Sequence, residues 1–438
     1  MSLHDGFIPK MRPVSPRRSA IVAGLDVGTS KIVCLIARLK PQGPQDVLRR
    51  RSHGIEILGL GHTEARGMKA GAVVNLAEAE EAVRHAVDLA ERDASVQLES
   101  VVLSLSSGRP SSEFFSVNVN VAGSGVTDGD IARALSAGCN HSVRAGRTVL
   151  HSMPIGYALD GVRGVGEPRG MLAREFGVDM HMVTADVAAA RNLMLVVERC
   201  HLEVETLVAS PYVAGLSAIA DDEADMGAAL IDMGAGTTTM AVFSGGRFSY
   251  ADGFGLGGNH VTMDLARGLK ARISDAERIK TFYGSVLAGG SDEHDMISVP
   301  AVSDDDREPP QFVSRASLVR IIKPRVEEIL EMVRDRLAAS PFASGSRARA
   351  IFTGGGSQLT GLPELAARIL NRPVRIGRPL GIAGLPEAAK GPEFAVAAGL
   401  LVYPQAAHLE HFEPRRTRHL MTGTGYIARV GRWLRESF

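Results

Sequence analysis

Two short turns, far apart in the chain, constrain its fold more than any other feature: Asp26-Val27-Gly28-Thr29-Ser30 and Asp232-Met233-Gly234-Ala235-Gly236-Thr237. Each follows an apolar run (Ile21–Leu25; Ala228–Ile231) and leads into another (Ile32–Ala37; Thr238–Phe243). Each therefore predicts a β-hairpin whose turn carries an Asp, glycines and hydroxyls. Glycine lets turn N–H groups converge on an anion with no Cβ in the way. Thr and Ser hydroxyls add donors, and a carboxylate at the strand end can hold a hydrated Mg²⁺. One Asp-x-Gly turn is ordinary hairpin chemistry. Two copies in matching contexts predict a duplicated unit that grips a nucleotide's phosphates from both sides. The phosphate candidates are Asp26, Gly28, Thr29, Ser30 and Lys31 in the first turn, and Asp232, Gly234, Gly236, Thr237 and Thr238 in the second. Asp26 and Asp232 are the metal candidates. No G-x-x-x-x-G-K-[ST] opens a helix, so this is not a P-loop.

A third element follows strand Ala350–Phe352: Thr353-Gly354-Gly355-Gly356-Ser357-Gln358, then a helix predicted over Pro363–Leu370 with Pro at its first position. Gly354, Gly355 and Gly356 carry no side chains, so a flat ring fits against the backbone there, with Gln358 beside it. The three motifs, in this order, resemble those of the actin-like ATPase superfamily, and within it the FtsA family of bacterial cell-division proteins, from about Val22 onward.

That resemblance implies an α/β actin-like fold, with two duplicated domains around a nucleotide cleft and a small α/β insert in the first. It implies ATP and Mg²⁺ as ligands. It places Glu277 and Lys280, one helical turn apart, at the ribose and adenine, and Gly257, Gly258 and Asn259 near the phosphates. Read without it, Glu277 and Lys280 are a solvated ion pair and Asn259 a turn residue. Many hydrolysing relatives carry Glu-Pro where this chain has Ser210-Pro211. A neutral hydroxyl cannot act as the general base, and losing a positioned base costs ~10²–10⁴ in rate. Slow or negligible hydrolysis and no catalytic residue are therefore expected.

The remaining pattern divides the chain. Residues 1–20 read as a disordered tail, not a signal peptide, because no apolar segment follows their basic residues. Residues 21–100 and 179–209, closed by 385–403, form the first domain, with 101–178 the insert. Residues 210–256 and 318–384 form the second domain's core and 257–317 its outer lobe. Asn75–Arg92 places Ala79, Ala82, Val83, Ala86, Val87 and Ala90 on one helical face. Asp128 is expected to cap a helix over Asp128–Ala137, and Ser274 one over Ser274–Tyr283. Helices are also expected over Thr184–Cys200, Ser317–Ala338 and Glu393–Tyr403, and a loop or hairpin arm over Gly289–Pro310. Formal net charge is zero, which gives no global case for nucleic acid or membrane. Cys34, Cys139 and Cys200 are odd in number and lack metal spacing, which fits a reducing cytosol. His408 and His411 are a weak metal candidate without partner ligands.

Residues 404–424 read as a polar linker. Beyond it, 425–438 makes an amphipathic helix with Tyr426, Ile427, Val430, Trp433, Leu434 and Phe438 on one side and Arg429, Arg432 and Arg435 on the other. It is too short to span a bilayer and reads as an in-plane membrane helix, the alternative being a helix docked on its own domain. Three arginines near an anionic surface contribute about 3 kcal/mol. FtsA proteins end in a matching membrane-targeting helix. The resemblance further implies that the partner is the tubulin-like ring protein FtsZ, whose C-terminal peptide docks on the outer lobe. It also implies self-association into filaments, contact with downstream division proteins, and a place on the cytoplasmic face of the inner membrane at the septum. The rivals are a pilus-assembly or other actin-like membrane adaptor and, in a different class, an active ATPase chaperone or kinase.

Overall fold

The computed structural model describes residues 8–43, 48–123, 125–139, 141–290, 292–300, 310–340 and 348–410. Its frame is one strand pattern built twice. In the first half, Ala20–Val27 and Lys31–Pro41 form an antiparallel hairpin, and His53–Glu64 adds antiparallel beyond it. On the other side Ser100–Leu105 and then Glu203–Ala209 add in parallel. In the second half, Ala228–Met233 and Thr238–Ser244 form the hairpin and Arg247–Phe254 the third strand, while Arg349–Thr353 and Val374–Ile376 lie parallel on the far side. Both halves thus place the hairpin turn and the ends of the parallel strands at one edge, where a crevice forms outside the carboxyl ends of the strands. The expected duplicated hairpins are present, and their strands are buried almost throughout.

The expected helices form for the expected reasons, with shifted ends. Leu76–Ala94 buries all six predicted apolar residues, and the Asn75 side chain accepts the Glu78 N–H as its cap. Leu362–Leu370 begins with Pro363 in its first turn. The strand Glu175–Asp186 runs further than the sequence suggested, so the next helix starts at Val187. Arg315–Ala339 is one helix with Pro324 inside it. The arm is a hairpin of Met296–Val299 with Gln311–Ser314.

Two caps are corrected. Thr127, not Asp128, starts its helix: Thr127 Oγ1 accepts the Asp130 N–H at 3.3 Å, and Asp130 accepts the Thr127 N–H at 2.9 Å. Asp128 instead bonds Arg169. Ser274 is already inside the helix Ile273–Tyr283, whose flanking residue Arg272 makes no side-chain cap.

Two segments are more ordered than their polarity implied. In the expected tail, Ile8 is buried and Met11 packs on the main core, and the Val14 N–H bonds the Pro404 carbonyl. The expected linker begins inside helix Ala395–Ala406, the terminal α-helix among the described residues. There Gln405 is buried, and its Oε1 accepts the His53 N–H at 2.9 Å. Residues 411–424 of the linker, His411 among them, and the whole of 425–438 lie outside the described residues.

The insert follows Ser100–Leu105, which belongs to the first sheet. Its strands Ser111–Asn120, Glu175–Asp186, Arg147–Leu159 and Val162–Val165 extend the second sheet through one pair, Asp252 with Ser111. At that seam His181 is fully buried, with Nδ1 3.1 Å from the Phe248 carbonyl. Burial, against that hydrogen bond, pulls its pKa down to about 4 from 6.5. The folded value is depressed, so the unfolded chain binds the proton first. This contribution is whole above pH 6.5 and is lost as pH falls towards 4. Between pH 7 and 5 we expect His181→Leu to lose about 2 kcal/mol less stability than the parent, read from denaturant unfolding. Equal losses would show that His181 does not carry this acid sensitivity.

Candidate functional site

The two turns meet. A Cβ at Gly236 would lie 2.5 Å from Thr29 Oγ1 and 2.9 Å from the Ala70 Cα, so the second turn reaches the first only because it carries glycine there. Each turn is closed by its own backbone: Gly28 N–H to the Lys31 carbonyl at 3.0 Å, and Gly234 N–H to the Thr237 carbonyl at 2.9 Å. Thr29 Oγ1 accepts the Gly71 N–H at 2.8 Å, and the Ser30 carbonyl accepts the Ala65 N–H at 3.0 Å. Thr237 is buried near the second turn, while the Thr238 hydroxyl is engaged by the Leu256 carbonyl at 2.8 Å and braces the neighbouring loop.

Beneath the turns the two halves repeat each other in detail. Asp26 stands beside Ser104 of the adjacent parallel strand, whose Oγ donates to it at 2.6 Å. Asp232 stands in register with Thr353. Burial raises the Asp26 pKa, against the Ser104 hydrogen bond and the Lys31 charge. Burial, then the charge of Asp26, pushes Asp232 up to about 7, against Lys31. Lys31 is the cation whose charge opposes both shifts. Its ammonium sits 4.1 Å from the Phe394 ring centre and, among the described residues, has no hydrogen-bond partner. Burial depresses its pKa, opposed by Asp26, Glu393 and Asp232.

The rest of the predicted set joins the same cleft. Gly354, at φ 82°, packs its Cα against Asp232, and Gly355–Gln358 is a short 3₁₀ turn. Gly356 packs on Met233, and Gln358 Nε2 donates to Glu393 at 2.9 Å. Gly258 N–H bonds the Gly234 carbonyl at 2.9 Å and Asn259 N–H the Ala235 carbonyl at 2.8 Å, tying this loop to the second turn. Lys280 Nζ reaches the Gly258 carbonyl at 3.2 Å and Glu277 at 2.7 Å, so this pair is also a brace on that loop. Ser210 is buried at the start of helix Ser210–Ala218, with Oγ 3.4 Å from Thr239 Oγ1.

Sequence reasoning missed Ser104, Glu393 and Phe394. Ser104 is set by strand register, and the other two by the short turn Pro392–Phe394 that brings helix Ala395–Ala406 back to the first sheet, so no local pattern marked them. Ala70 and Gly71, both at positive φ, were also missed; the short hairpin Met68–Lys69 with Ala72–Val73 that carries them was the available signal.

The arrangement fits a phosphate–Mg²⁺ group. Two buried carboxylates that disfavour each other's charge gain from a divalent cation, and a buried ammonium with no acceptor gains from a phosphate oxygen. Asp26 and Asp232 would hold the metal, and Lys31 with the turn N–H groups the phosphates. Among the described residues no cluster of three or more His, Cys, Asp or Glu is arranged to hold a metal unaided, His408 included: its Nδ1 bonds the Gln405 carbonyl. No helix among them is long and apolar enough to cross a membrane.

Comparison with known proteins places this geometry. A family model described as "Cell division protein FtsA" matches residues 229–399, and one described as "SHS2 domain inserted in FTSA" matches residues 107–184. The chain is 49% identical to Cell division protein FtsA of Agrobacterium fabrum, covering 100% of this chain and 99% of that one. It is 48% identical to the Rhizobium meliloti protein of that name, covering 98% of each. It is 31% identical to the Escherichia coli one, covering 95% and 98%. Among solved structures it resembles the PilM-PilN type IV pilus biogenesis complex (TM-score 0.58, 18% identity, covering 87% and 98%). It also resembles MreB5 of Spiroplasma citri bound to AMPPNP (TM-score 0.51, 15% identity, covering 87% and 94%). At those identities the structures speak for the fold alone, which separates the pilus adaptor from the full-length match. Twin hairpin sheets around one cleft, an inserted domain in the first half, and near-half identity from end to end make the chain a member of the FtsA family of cell-division proteins, built on the actin-like ATPase fold.

Proposed function

We propose that this protein binds ATP·Mg²⁺ in the cleft and tethers the FtsZ ring to the inner membrane, helping to assemble the division machinery at the septum. The observation that carries the nucleotide reading is Lys31, a buried ammonium that feels the charges of Asp26, Glu393 and Asp232 yet lacks an acceptor among the described residues. ATP serves mainly as a conformational ligand. Ser210 offers no base, and its hydroxyl faces Thr239.

The FtsZ C-terminal peptide docks on the outer lobe, residues 257–317. This is supported by a set of exposed apolar side chains there: Phe282, Phe312, Ile273 and Met296. Exposed aromatics of this kind mark interaction surfaces. Residues 425–438 supply the membrane contact, anionic lipids the surface, and side-by-side copies the filament.

Pull-down with an FtsZ C-terminal peptide tests the partner. The parent protein should retain it, and Phe282→Asp should weaken retention at least ~10-fold, a typical loss for a central aromatic contact. No retention by the folded parent would remove FtsZ from this reading. Turnover in the common enzyme range of ~1–10³ s⁻¹ would instead make the protein an active ATPase.

A further inference from the structure

The two ends of the described chain meet in one buried polar cluster. Glu410 follows the short turn that closes the terminal helix, and its side chain is only 4% accessible. Its Oε1 accepts from His151 Nδ1 at 2.9 Å and from the Tyr403 hydroxyl at 3.1 Å, and its Oε2 lies 3.3 Å from Lys10 Nζ. The other His151 nitrogen, Nε2, accepts the backbone N–H of Ala209 at 2.9 Å. An imidazole that accepts at Nε2 carries its proton at Nδ1, so the tautomer is fixed and the ring is neutral. Lys10 is then the cation that answers the carboxylate.

Ala209 gives the cluster its reach. It is the last residue of its strand, and Ser210 next to it opens the helix that packs directly on the second hairpin, with Ser210 Oγ 3.4 Å from Thr239 Oγ1 and Gly215 against the Phe243 ring. The terminal helix lies against that helix. Ser217 Oγ donates to the Ala395 carbonyl at 2.6 Å, and the rings of Tyr212 and Tyr403 meet edge to face at 6.1 Å. Both helices therefore end at Glu410, one through Ala209 and His151, the other through its own last turn.

We propose that Glu410 is a latch: it docks the root of the C-terminal segment onto His151, and its closure is coupled to nucleotide in the cleft through Ala209 and Ser210. The coupling rests on the ATP reading given above. Two features make the latch two-state. Withdrawing the carboxylate strands the fully buried His151 N–H, while Lys10, partly exposed, keeps its bond to the Leu150 carbonyl, so half-open positions are penalised through His151. A shift of the second hairpin on ligand binding would pass through the Thr239–Ser210 contact to the Ala209 N–H and so to His151. Latched, the chain from residue 411 to 424 reaches at most ~50 Å; released from 405, it gains about 20 Å.

Hydrogen exchange on the full chain, with and without ATP·Mg²⁺, tests this. In the parent, exchange of the 406–410 amides should change at least ~5-fold on nucleotide binding, a shift in the range of ordinary allosteric coupling. Glu410→Gln, and the milder Lys10→Met, should exchange fast in both conditions and should shift affinity for a fluorescent ATP analogue by the reciprocal factor. Exchange at 406–410 that ignores bound nucleotide would overturn the coupling, as would unchanged affinity in both folded variants. Failure of the parent to bind nucleotide appears before any variant is made and overturns the cleft reading itself.

Discussion

Gly354→Val should abolish usable nucleotide binding, with affinity for a fluorescent ATP analogue falling at least ~100-fold, equivalent to about 3 kcal/mol. The residue sits at φ 82°, where a β-branched side chain is strained. Its Cβ would lie 2.5 Å from both Asp232 Oδ1 and the Met233 carbonyl. Relief requires the 3₁₀ turn to move away from Asp232, which opens the proposed nucleobase side of the cleft and displaces a metal candidate together. Gly355→Ala is the control. The nearest atom to a Cβ there is the Glu393 Cβ at 4.0 Å, so binding should be nearly unchanged. Asp232→Ala should cost at least ~10-fold by removing one buried carboxylate from the proposed Mg²⁺ site. Unchanged binding by folded Gly354→Val and Asp232→Ala would show that the nucleotide lies elsewhere.

Loss of membrane attachment on removing residues 425–438 should be nearly complete in sedimentation with anionic vesicles. Trp433→Glu should act the same way, since it places an unpaired carboxylate in the middle of the apolar face and deletes its largest contact. Added salt should weaken the parent's binding, because the attraction of Arg429, Arg432 and Arg435 is screened. Both variants should keep nucleotide binding and their melting temperature. Vesicle binding by the truncated protein equal to the parent's would show that the anchor is elsewhere. Unfolding of the truncated protein would favour a helix docked on its own domain.

What the sequence disclosed was whatever its chemistry writes locally. The glycine turns were legible because a two-strand hairpin needs its signal in a handful of adjacent residues. The helix after Asn75 was legible because its period and its cap both lie within it. The site's second layer was not. Ser104 meets Asp26 through strand register, and Phe394 lies against Lys31 only because the turn that opens helix Ala395–Ala406 returns to the first sheet. The same blindness misread both ends. Gln405 and Glu410 look like linker residues until His53 and His151, their distant partners, are in place. Asp128 and Ser274 show a smaller failure: each has the chemistry of a cap, but each lies just inside its helix, the first helix capped by Thr127 and the second beginning one residue earlier, at Ile273.

Lys31 gives the cleft a particular character. Its ammonium is stripped of water during folding and rests on an aromatic face, while its charge acts on two reluctant carboxylates, Asp26 and Asp232. The desolvation that an incoming phosphate would otherwise have to overcome is therefore already complete before it arrives. Folding bears that cost, so the protein sits above the free energy its packing alone would give, and at the proposed nucleotide site an anion would meet a charge with no hydration shell to shed. A methionine at 31 would make a sturdier protein and a poorer receptor, which sets stability and recognition in direct opposition at a single side chain.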